Sequence, residues 1–340
     1  MATIQDVAKI VGVSPSVVSQ VMNRKSGRIS ISADTCARVR RVAGEMGYVA
    51  DGRARLLRTR QSPMVGVLAC YVHGTLRPDL LQAVSQKLNS VEREMLIGVH
   101  RQDMEVARRH VNTFRAYRTS GVIIVASTVA EAKAMSALTV EGAGQCGPAV
   151  CVCPSGPVPG AITVYIDLEE AHVRAMKRLA ACGYRRVVLI GPAPGRVDPL
   201  DAAVTEWARR IPEVRFEVIR RGGKDARAVG LALADALRER LTDGPVGALA
   251  TDDRYGCATA VALVEMGVKV PAQVALIGRG NMPEMADVCR PALTTYNSRD
   301  LMTAMGEKTV EVLLAAKPGD GGTLAHPFRQ EMTVRETFPG

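Results

Sequence analysis

Uncharged hydrogen-bonding side chains recur at helical spacing near the start of the chain. Ser16, Ser19, Gln20 and Asn23 fall on one side of a helical wheel whose opposite side is apolar. A glutamine or asparagine amide donates and accepts a hydrogen bond at once, which matches the edge of adenine in the major groove of DNA. This face is therefore suited to reading bases, although an ordinary amphipathic surface helix has the same pattern.

Two short helices joined by a tight turn are predicted to position this face. An apolar side with helical spacing is formed by Ile4, Val7, Ala8 and Val11. Thr3 and Asp6 form a variant capping box at its start, and Gly12 accepts the positive φ of a C-terminal cap. Ser14 then supplies an N-cap and Pro15 a first-turn proline for the second helix. This arrangement is a helix-turn-helix.

Positive charge is concentrated around this motif. Residues 1–62 carry eleven Lys and Arg against four Asp and Glu, which is +7 of the net charge of +10. A local excess of this kind is the electrostatic footprint of binding to a phosphate backbone. A third helix is predicted from Ser32 to Met46. Residues 1–48 are thus expected to form a three-helix, all-α DNA-binding headpiece.

The same residues resemble the lactose and galactose repressor (LacI/GalR) family of bacterial transcription regulators. Matches include Thr3-Ile4, Asp6-Val7-Ala8, Gly12-Val13-Ser14, Val18-Ser19, Ile31-Ser32, Gly47-Tyr48, and Ala54-Arg55 with Leu57. The resemblance implies that residues 49–62 are a hinge with a short helix, in which Leu57 wedges into DNA. Gln20 departs from the family, which usually has arginine there, and Ala50-Asp51 replaces the Pro-Asn that usually opens the hinge. We expect DNA contacts from Thr3, Ile4, Ser14, Pro15, Ser16, Ser19, Gln20, Asn23, Arg53, Ala54, Arg55 and Leu57.

Beyond Pro63, apolar strands alternate with amphipathic helices in two series, one from Val65 to Ile166 and one from Leu168 to Ile277. Such alternation predicts parallel sheets covered by helices on both faces. The expected fold is the helix-turn-helix headpiece plus an α/β core, residues 63–340, of two doubly wound parallel-sheet lobes. A weaker family resemblance in this region implies a periplasmic-binding-protein-like core that dimerises and senses an effector. Ligands of open parallel sheets bind beyond the carboxyl ends of the strands, so the cleft between the lobes is the expected site.

The cleft motifs differ from those of the family. Gly278-Arg279-Gly280 replaces Gly-Phe-Asp, and Asp252-Asp253 replaces Asn-Asp, with a helix N-cap as the expected role of that pair. These losses argue against a typical sugar pocket and favour a small polar or anionic effector, although solvated loop charges are the alternative. Trp207 is expected in the core, with the cleft edge as the alternative. The residues expected at the effector are His73, Asp167, Arg196, Asp253, Arg279 and Asn297.

Other classes of protein find little support. The sequence contains no Gly-x-Ser-x-Gly, phosphate loop or His-Glu-x-x-His, so we expect neither an enzyme nor a cofactor. Its five histidines and eight cysteines are dispersed, and we expect no metal site. A polar N-terminus and strand-length apolar runs predict a cytoplasmic protein without membrane contact.

These observations predict a homodimeric, sequence-specific transcriptional regulator, expected to be a repressor that binds a palindromic operator and responds to a small-molecule effector. One alternative is a regulator of the same type whose core has lost small-molecule binding. The second is a solute-binding receptor for transport, which conflicts with the basic headpiece and with the expected absence of an export signal.

Overall fold

The computed structural model describes residues 2–22, 31–48, 62–70, 78–141, 146–153, 156–193, 199–296, 299–317 and 323–339. The chain divides into two compact units, Met1–Ser62 and Pro63–Gly340. Among the described residues, no helix combines the length and apolar character that a membrane span requires.

The N-terminal unit contains three helices, α1 (Ile4–Val11), α2 (Pro15–Met22) and α3 (Ala33–Glu45). The predicted capping box is confirmed, because the Thr3 hydroxyl accepts from the Asp6 amide at 3.3 Å while the Asp6 carboxylate accepts from the Thr3 amide at 2.9 Å. Gly12 caps α1 with a φ of 77°. The three helices enclose one small core, formed by Val7, Ala8, Val11, Val18, Val21, Val39, Val42 and Ala43.

The second unit contains two six-stranded sheets, each the centre of one lobe. The order of strands in the first sheet is β11-β5-β4-β3-β1-β2, and all of its pairs are parallel. Its strands are β1 (Met64–Ala69), β2 (Glu94–Val99), β3 (Val122–Val125), β4 (Ala149–Cys153), β5 (Ile162–Ile166) and β11 (Leu324–Phe328). The helices of this lobe, lobe 1, are α4 (Pro78–Ser90), α5 (Met104–Ala116), α6 (Val129–Val140) and α12 (Arg299–Ala315).

Lobe 1 is covered on both faces, as the alternation predicts. Ile123 and Val125 belong to the core shared with α4 and α12, whereas Val122 and Ile124 belong to the core shared with α5 and α6. Successive side chains of a strand point to opposite faces, so a strand that is apolar throughout serves both cores.

The order of strands in the second sheet is β12-β10-β9-β8-β6-β7. Its strands are β6 (Arg186–Pro192), β7 (Arg215–Arg221), β8 (Val246–Ala250), β9 (Val274–Arg279), β10 (Thr294–Tyr296) and β12 (Met332–Thr333). The helices of this lobe, lobe 2, are α7 (Leu168–Ala181), α8 (Pro199–Ala208), α9 (Ala226–Arg238), α10 (Asp253–Glu265) and α11 (Pro283–Ala286), with a 3₁₀ turn at Glu239–Asp243.

The predicted fold class is confirmed, and every strand and helix predicted between Val65 and Ile277 has a counterpart in the structure. The chain beyond Ile277 departs from the two consecutive series. Helix α12 and strand β11 return to lobe 1, whereas β12 returns to lobe 2 as an antiparallel edge strand beside β10. The two lobes are therefore not continuous segments of the sequence.

Candidate DNA-binding surface and interlobe pocket

The second helix of the headpiece presents the predicted polar face. The Ser14 hydroxyl accepts from the Val17 amide at 3.4 Å, so α2 begins at Pro15 as predicted. Val18 and Val21 are buried in the headpiece core, Pro15 and Ser16 are exposed, and Ser19 and Gln20 are half-buried. The N-terminal turn of α2 is thus its most accessible part, and amides at a helix N-terminus carry partial positive charge toward a ligand.

The first and third helices hold α2 in place. Ile4 is half-buried against the headpiece core, and the Thr3 hydroxyl donates to the Asp6 carboxylate at 2.7 Å. The hydrogen bonds from Thr3 lower the pKa of Asp6, which keeps the carboxylate ionised at the N-terminus of α1. Arg38 on α3 donates from Nη2 to the carbonyl of Val11 at 3.2 Å. One of the headpiece's basic side chains is therefore used to bind the end of α1.

A pocket of about 660 Å³ lies beside the first crossing between the lobes. It is lined by the end of β5, the first turns of α7, the end of α8 and the loop at Gly156. Trp207 is half-buried here and packs against the cores of both lobes. The pocket combines aromatic and charged side chains, among them Tyr165, Asp167, Glu170, Lys177, Trp207 and Arg210.

Asp167 lines this pocket and also caps a helix. Its Oδ1 accepts from the Glu170 amide at 3.0 Å at the start of α7, and its own amide donates to the carbonyl of Phe328 at 2.9 Å. The carboxylate is therefore fixed in position at the point where the chain passes from lobe 1 to lobe 2. Of the described residues that the sequence assigned to the effector, Asp167 is the one that lines the pocket.

Asp253 has a different environment from the one expected. Asp252 is the N-cap of α10, and the following Asp253 is fully buried. Its Oδ1 accepts from the Thr295 hydroxyl at 2.5 Å and its Oδ2 from the Met282 amide at 2.9 Å. Burial raises the pKa of Asp253 while these two hydrogen bonds oppose the rise. Both carboxylate oxygens thus accept hydrogen bonds within lobe 2. Asp253 could therefore affect effector binding only indirectly, through the segments that contain Thr295 and Met282.

Arg279 ends β9 at the carboxyl edge of the second sheet. Its Nε donates to the carbonyl of Thr251 at 3.1 Å. Buried His172 lies close enough to Arg279 for the two charges to interact, and its ring centroid is 5.7 Å from that of Trp207. Burial, with a smaller contribution from Arg279, lowers the pKa of His172 to about 4, so the imidazole is neutral near pH 7.

A second arginine occupies the same edge and was not anticipated from the sequence. Arg220 at the end of β7 makes a two-pronged ion pair with Asp201 on α8, in which the Nε–Oδ2 distance is 3.2 Å. Its guanidinium occupies the space that a side chain at Gly191 would fill, so the glycine permits this close approach. The pairing could not be read from the sequence, because the partners lie 19 residues apart and on different elements.

The remaining predicted site residues lie outside the described part of the chain. In the headpiece and hinge these are Asn23, Arg53, Ala54, Arg55 and Leu57, and at the effector site they are His73, Arg196 and Asn297. Their assignments stay predictions.

The chain matches two family models. Residues 3–51 match the bacterial regulatory proteins of the lacI family, and residues 176–338 match a periplasmic binding protein-like domain. Similar proteins align along most of the chain. The HTH-type transcriptional regulator DegA of Bacillus subtilis is 27% identical over 304 residues, which cover 86% of this chain and 85% of that protein. The lactose operon repressor of Escherichia coli is 24% identical over 321 residues, 93% of this chain and 85% of the repressor.

Residues 3–51 therefore form a DNA-binding domain of the lacI family of bacterial regulatory proteins. The fold of the chain is that of the lac repressor: a crystal structure of that protein bound to ONPG has a TM-score of 0.81 at 21% identity, with 99% of each chain covered. A second lac repressor structure, a dimer bound to operator and the anti-inducer ONPF, has a TM-score of 0.79 at 21% identity and covers 100% of this chain and 99% of that one. With a lacI-family helix-turn-helix domain and similarity to transcription regulators along most of its length, the chain is a DNA-binding transcription regulator.

Trp207 combines the two positions that the sequence left open. The core was the expected position and the cleft edge the alternative, and in the structure the indole both packs on the two lobes and lines the pocket. The helical spacing of apolar residues in α8 predicted that Trp207 packs against a core. The pocket depends on α7 and β5, whose positions relative to α8 the spacing does not specify.

Proposed function

We propose that this lacI-family protein acts in the cytoplasm as a homodimeric repressor of transcription. It binds a palindromic operator through two headpieces, and a small polar or anionic effector in the interlobe pocket changes its affinity for that operator. The observation that carries the proposal is the helix-turn-helix with an exposed polar N-terminal turn, set in a unit that carries +7 of the chain's net charge of +10.

The division of labour in the headpiece follows from position and chemistry. Ser16 and Gln20 lie on the side of α2 away from the core, where a hydroxyl and an amide can reach base edges in the major groove. Thr3 lies at the N-terminus of α1, where contacts to phosphates are favoured. Arg53 and Arg55 in the hinge add phosphate contacts, and Leu57 is the apolar side chain proposed to enter the minor groove.

The pocket supports the effector part of the proposal. Asp167, Glu169 and Glu170 place carboxylates at its wall, and Trp207 and Tyr165 offer aromatic surface. Relatives with this fold include a CelR–cellobiose complex, at 20% identity and a TM-score of 0.63 with 99% and 100% of the chains covered. A strongly polar molecule suits such a wall, and Lys177 and Arg210, which also line the pocket, supply the positive charge that an anion would need.

The test is a gel-shift titration of the DNA upstream of the chain's own gene, with random DNA of equal length in parallel. Gln20→Ala is expected to cost about 1–3 kcal/mol on the cognate site and little on random DNA, as loss of a bidentate base contact would. Asn112→Ala, which removes an exposed amide from α5, serves as the matched control and should bind like the parent chain.

Three results would count against the proposal. Equal weakening on both DNAs would make Gln20 a phosphate contact. If the protein bound no upstream site more tightly than random DNA, sequence-specific regulation would be contradicted. Operator binding that no metabolite changes would favour the alternative regulator whose core has lost small-molecule binding.

A further inference from the structure

We propose that Cys70, His100 and Glu131 bind one divalent transition-metal ion of the Zn²⁺ type. The three donor atoms lie within 4.8 Å of one another. The site belongs to lobe 1 and uses none of the residues assigned to DNA or to the interlobe pocket.

The first sheet brings the three residues together although they are far apart in the sequence. Cys70 directly follows β1, His100 directly follows β2, and Glu131 lies in the first turn of α6, the helix after β3. β1 pairs with both β2 and β3, so the three segments emerge side by side at the carboxyl edge of the sheet. This is where open parallel sheets place their ligands.

The backbone fixes two of these positions. The His100 amide donates to the carbonyl of Ala69 at 3.0 Å, and the Arg101 amide donates to the carbonyl of Cys70 at 2.9 Å. The pairing of β1 and β2 thus continues past the ends of the strands. Cys70 and His100 are held next to each other by main-chain bonds before any metal binds.

The buried imidazole lacks a partner of the usual kind. His100 is 1% exposed, and among the described residues neither of its ring nitrogens has a hydrogen-bond partner. Buried polar atoms nearly always have such a partner, so each exception requires an explanation. The neighbouring carboxylate of Glu131 also has a buried oxygen, Oε1, that lacks a hydrogen-bond partner among the described residues. Its other oxygen, Oε2, accepts from the Ser127 amide at 2.9 Å.

The separation of these two atoms fits a shared metal ion. His100 Nε2 and Glu131 Oε1 are 3.5 Å apart. In a tetrahedral zinc site, with Zn–N and Zn–O bonds of about 2.0–2.2 Å, the edge joining those two ligands is about 3.4 Å. An ion pair alone would instead require a charged imidazolium at a fully buried position.

The donor set selects the kind of metal. A thiolate, an imidazole and a carboxylate are the ligands that proteins use for Zn²⁺ and its Co²⁺ substitute, whereas Mg²⁺ and Ca²⁺ take oxygen ligands alone. Three protein ligands leave a fourth position for water or another donor. Binding releases the thiol proton of Cys70 to solvent and changes no oxidation state.

The test uses the full-length chain, treated with a chelator, dialysed, and titrated with Co²⁺ in the absence of DNA. One equivalent should produce the near-ultraviolet thiolate-to-cobalt band and the visible bands of four-coordinate cobalt, and Zn²⁺ should abolish both. Cys70→Ser should remove the near-ultraviolet band. Glu131→Gln keeps a side-chain oxygen for Ser127 and should weaken binding at least about tenfold, since even outer-shell partners matter by 10–100-fold.

Matched controls distinguish the site from adventitious binding. Cys182→Ser removes an exposed thiol, and His326→Gln removes a histidine on β11, so neither should alter the titration. Absence of a one-equivalent transition would overturn the proposal, as would a thiolate band that persists in Cys70→Ser. If Cys70→Ser fails to fold by circular dichroism, unchanged cobalt affinity in Glu131→Gln would overturn it. None of these outcomes bears on operator binding, which is measured separately.

Discussion

Acid should weaken lobe 2 through His172. The imidazole is buried on α7, and its Nδ1–H donates to the carbonyl of Leu168 at 2.7 Å. A carbonyl can only accept, so the neutral ring must carry its proton on Nδ1. Burial and the nearby charge of Arg279 lower the pKa of His172 to about 4, whereas an unfolded chain has the ordinary value of 6.5.

The direction of the effect follows from proton binding. Between pH 6.5 and pH 4 the unfolded chain takes up a proton at His172 and the folded chain does not, so falling pH favours unfolding. The free energy of unfolding is unaffected by His172 well above pH 6.5. It is lower by about 2 kcal/mol at pH 5 and by about 3 kcal/mol near pH 4, at about 1.4 kcal/mol per unit of pKa.

Trp207 provides the assay because it is the single tryptophan of the chain and its ring contacts His172. Urea unfolding followed by Trp207 fluorescence gives the free energy of unfolding from pH 7 to pH 4.5. His172→Asn retains a donor for Leu168 but cannot titrate, so the difference between the two chains isolates the imidazole. A difference that stays constant across this range would refute the reasoning.

Three further changes test the hinge, the pocket and the packing of the core. Leu57→Ala should weaken operator binding and reduce DNA bending while the dimer persists in sedimentation, because wedge insertion stabilises the bend; unchanged affinity and bending would exclude the wedge. In a thermal-shift screen of metabolites, a ligand at 100 times its dissociation constant should add about 2.7 kcal/mol of stability. Asp167→Asn, which preserves the helix cap, should reduce that response, and stabilisation by neutral sugars alone would contradict a charged or strongly polar effector. Gly306→Ala should destabilise by about 1–3 kcal/mol in urea, because the new Cβ would lie 2.7 Å from that of Ala83. Gly44→Ala on α3, with nothing within 4 Å, should stabilise by about 0.5–1 kcal/mol, and similar signs for the two glycines would contradict the packing argument.

Local chemistry made the headpiece predictable from its sequence. The capping box of Thr3 and Asp6, the left-handed cap at Gly12 and the start of α2 after Ser14 each depend on residues at most four positions apart. The apolar faces are equally local, because helical spacing alone selects Val18 and Val21 for the core. Where the partners are neighbours in sequence, residue types suffice to identify the structure.

The candidate sites depend on contacts that residue types do not specify. The carboxylate of Asp253 is occupied by Thr295, 42 residues later, and by the Met282 amide, so its full burial has no local signal. The dispersed cysteines and histidines gave no metal pattern, because the pairing of β1 and β2 that brings Cys70 beside His100 is a long-range feature. Short strands such as β10 and β12 could not be predicted either, because strands of three and two residues are too short to show a periodic pattern.

The three connections between the lobes suggest how a ligand in the pocket would act on both lobes. The lobes are joined where β5 meets α7, where β10 precedes α12, and where β11 precedes β12. The first and third connections are bonded to each other, because the Asp167 amide donates to the Phe328 carbonyl at 2.9 Å and Arg174 on α7 donates to the carbonyl of Gln330. Asp167 also lines the pocket. A ligand that contacts Asp167 more favourably at one angle between the lobes than at another would therefore shift the populations of the two conformations. If the operator binds one of these conformations more tightly, reciprocity requires that operator binding change the affinity for the ligand.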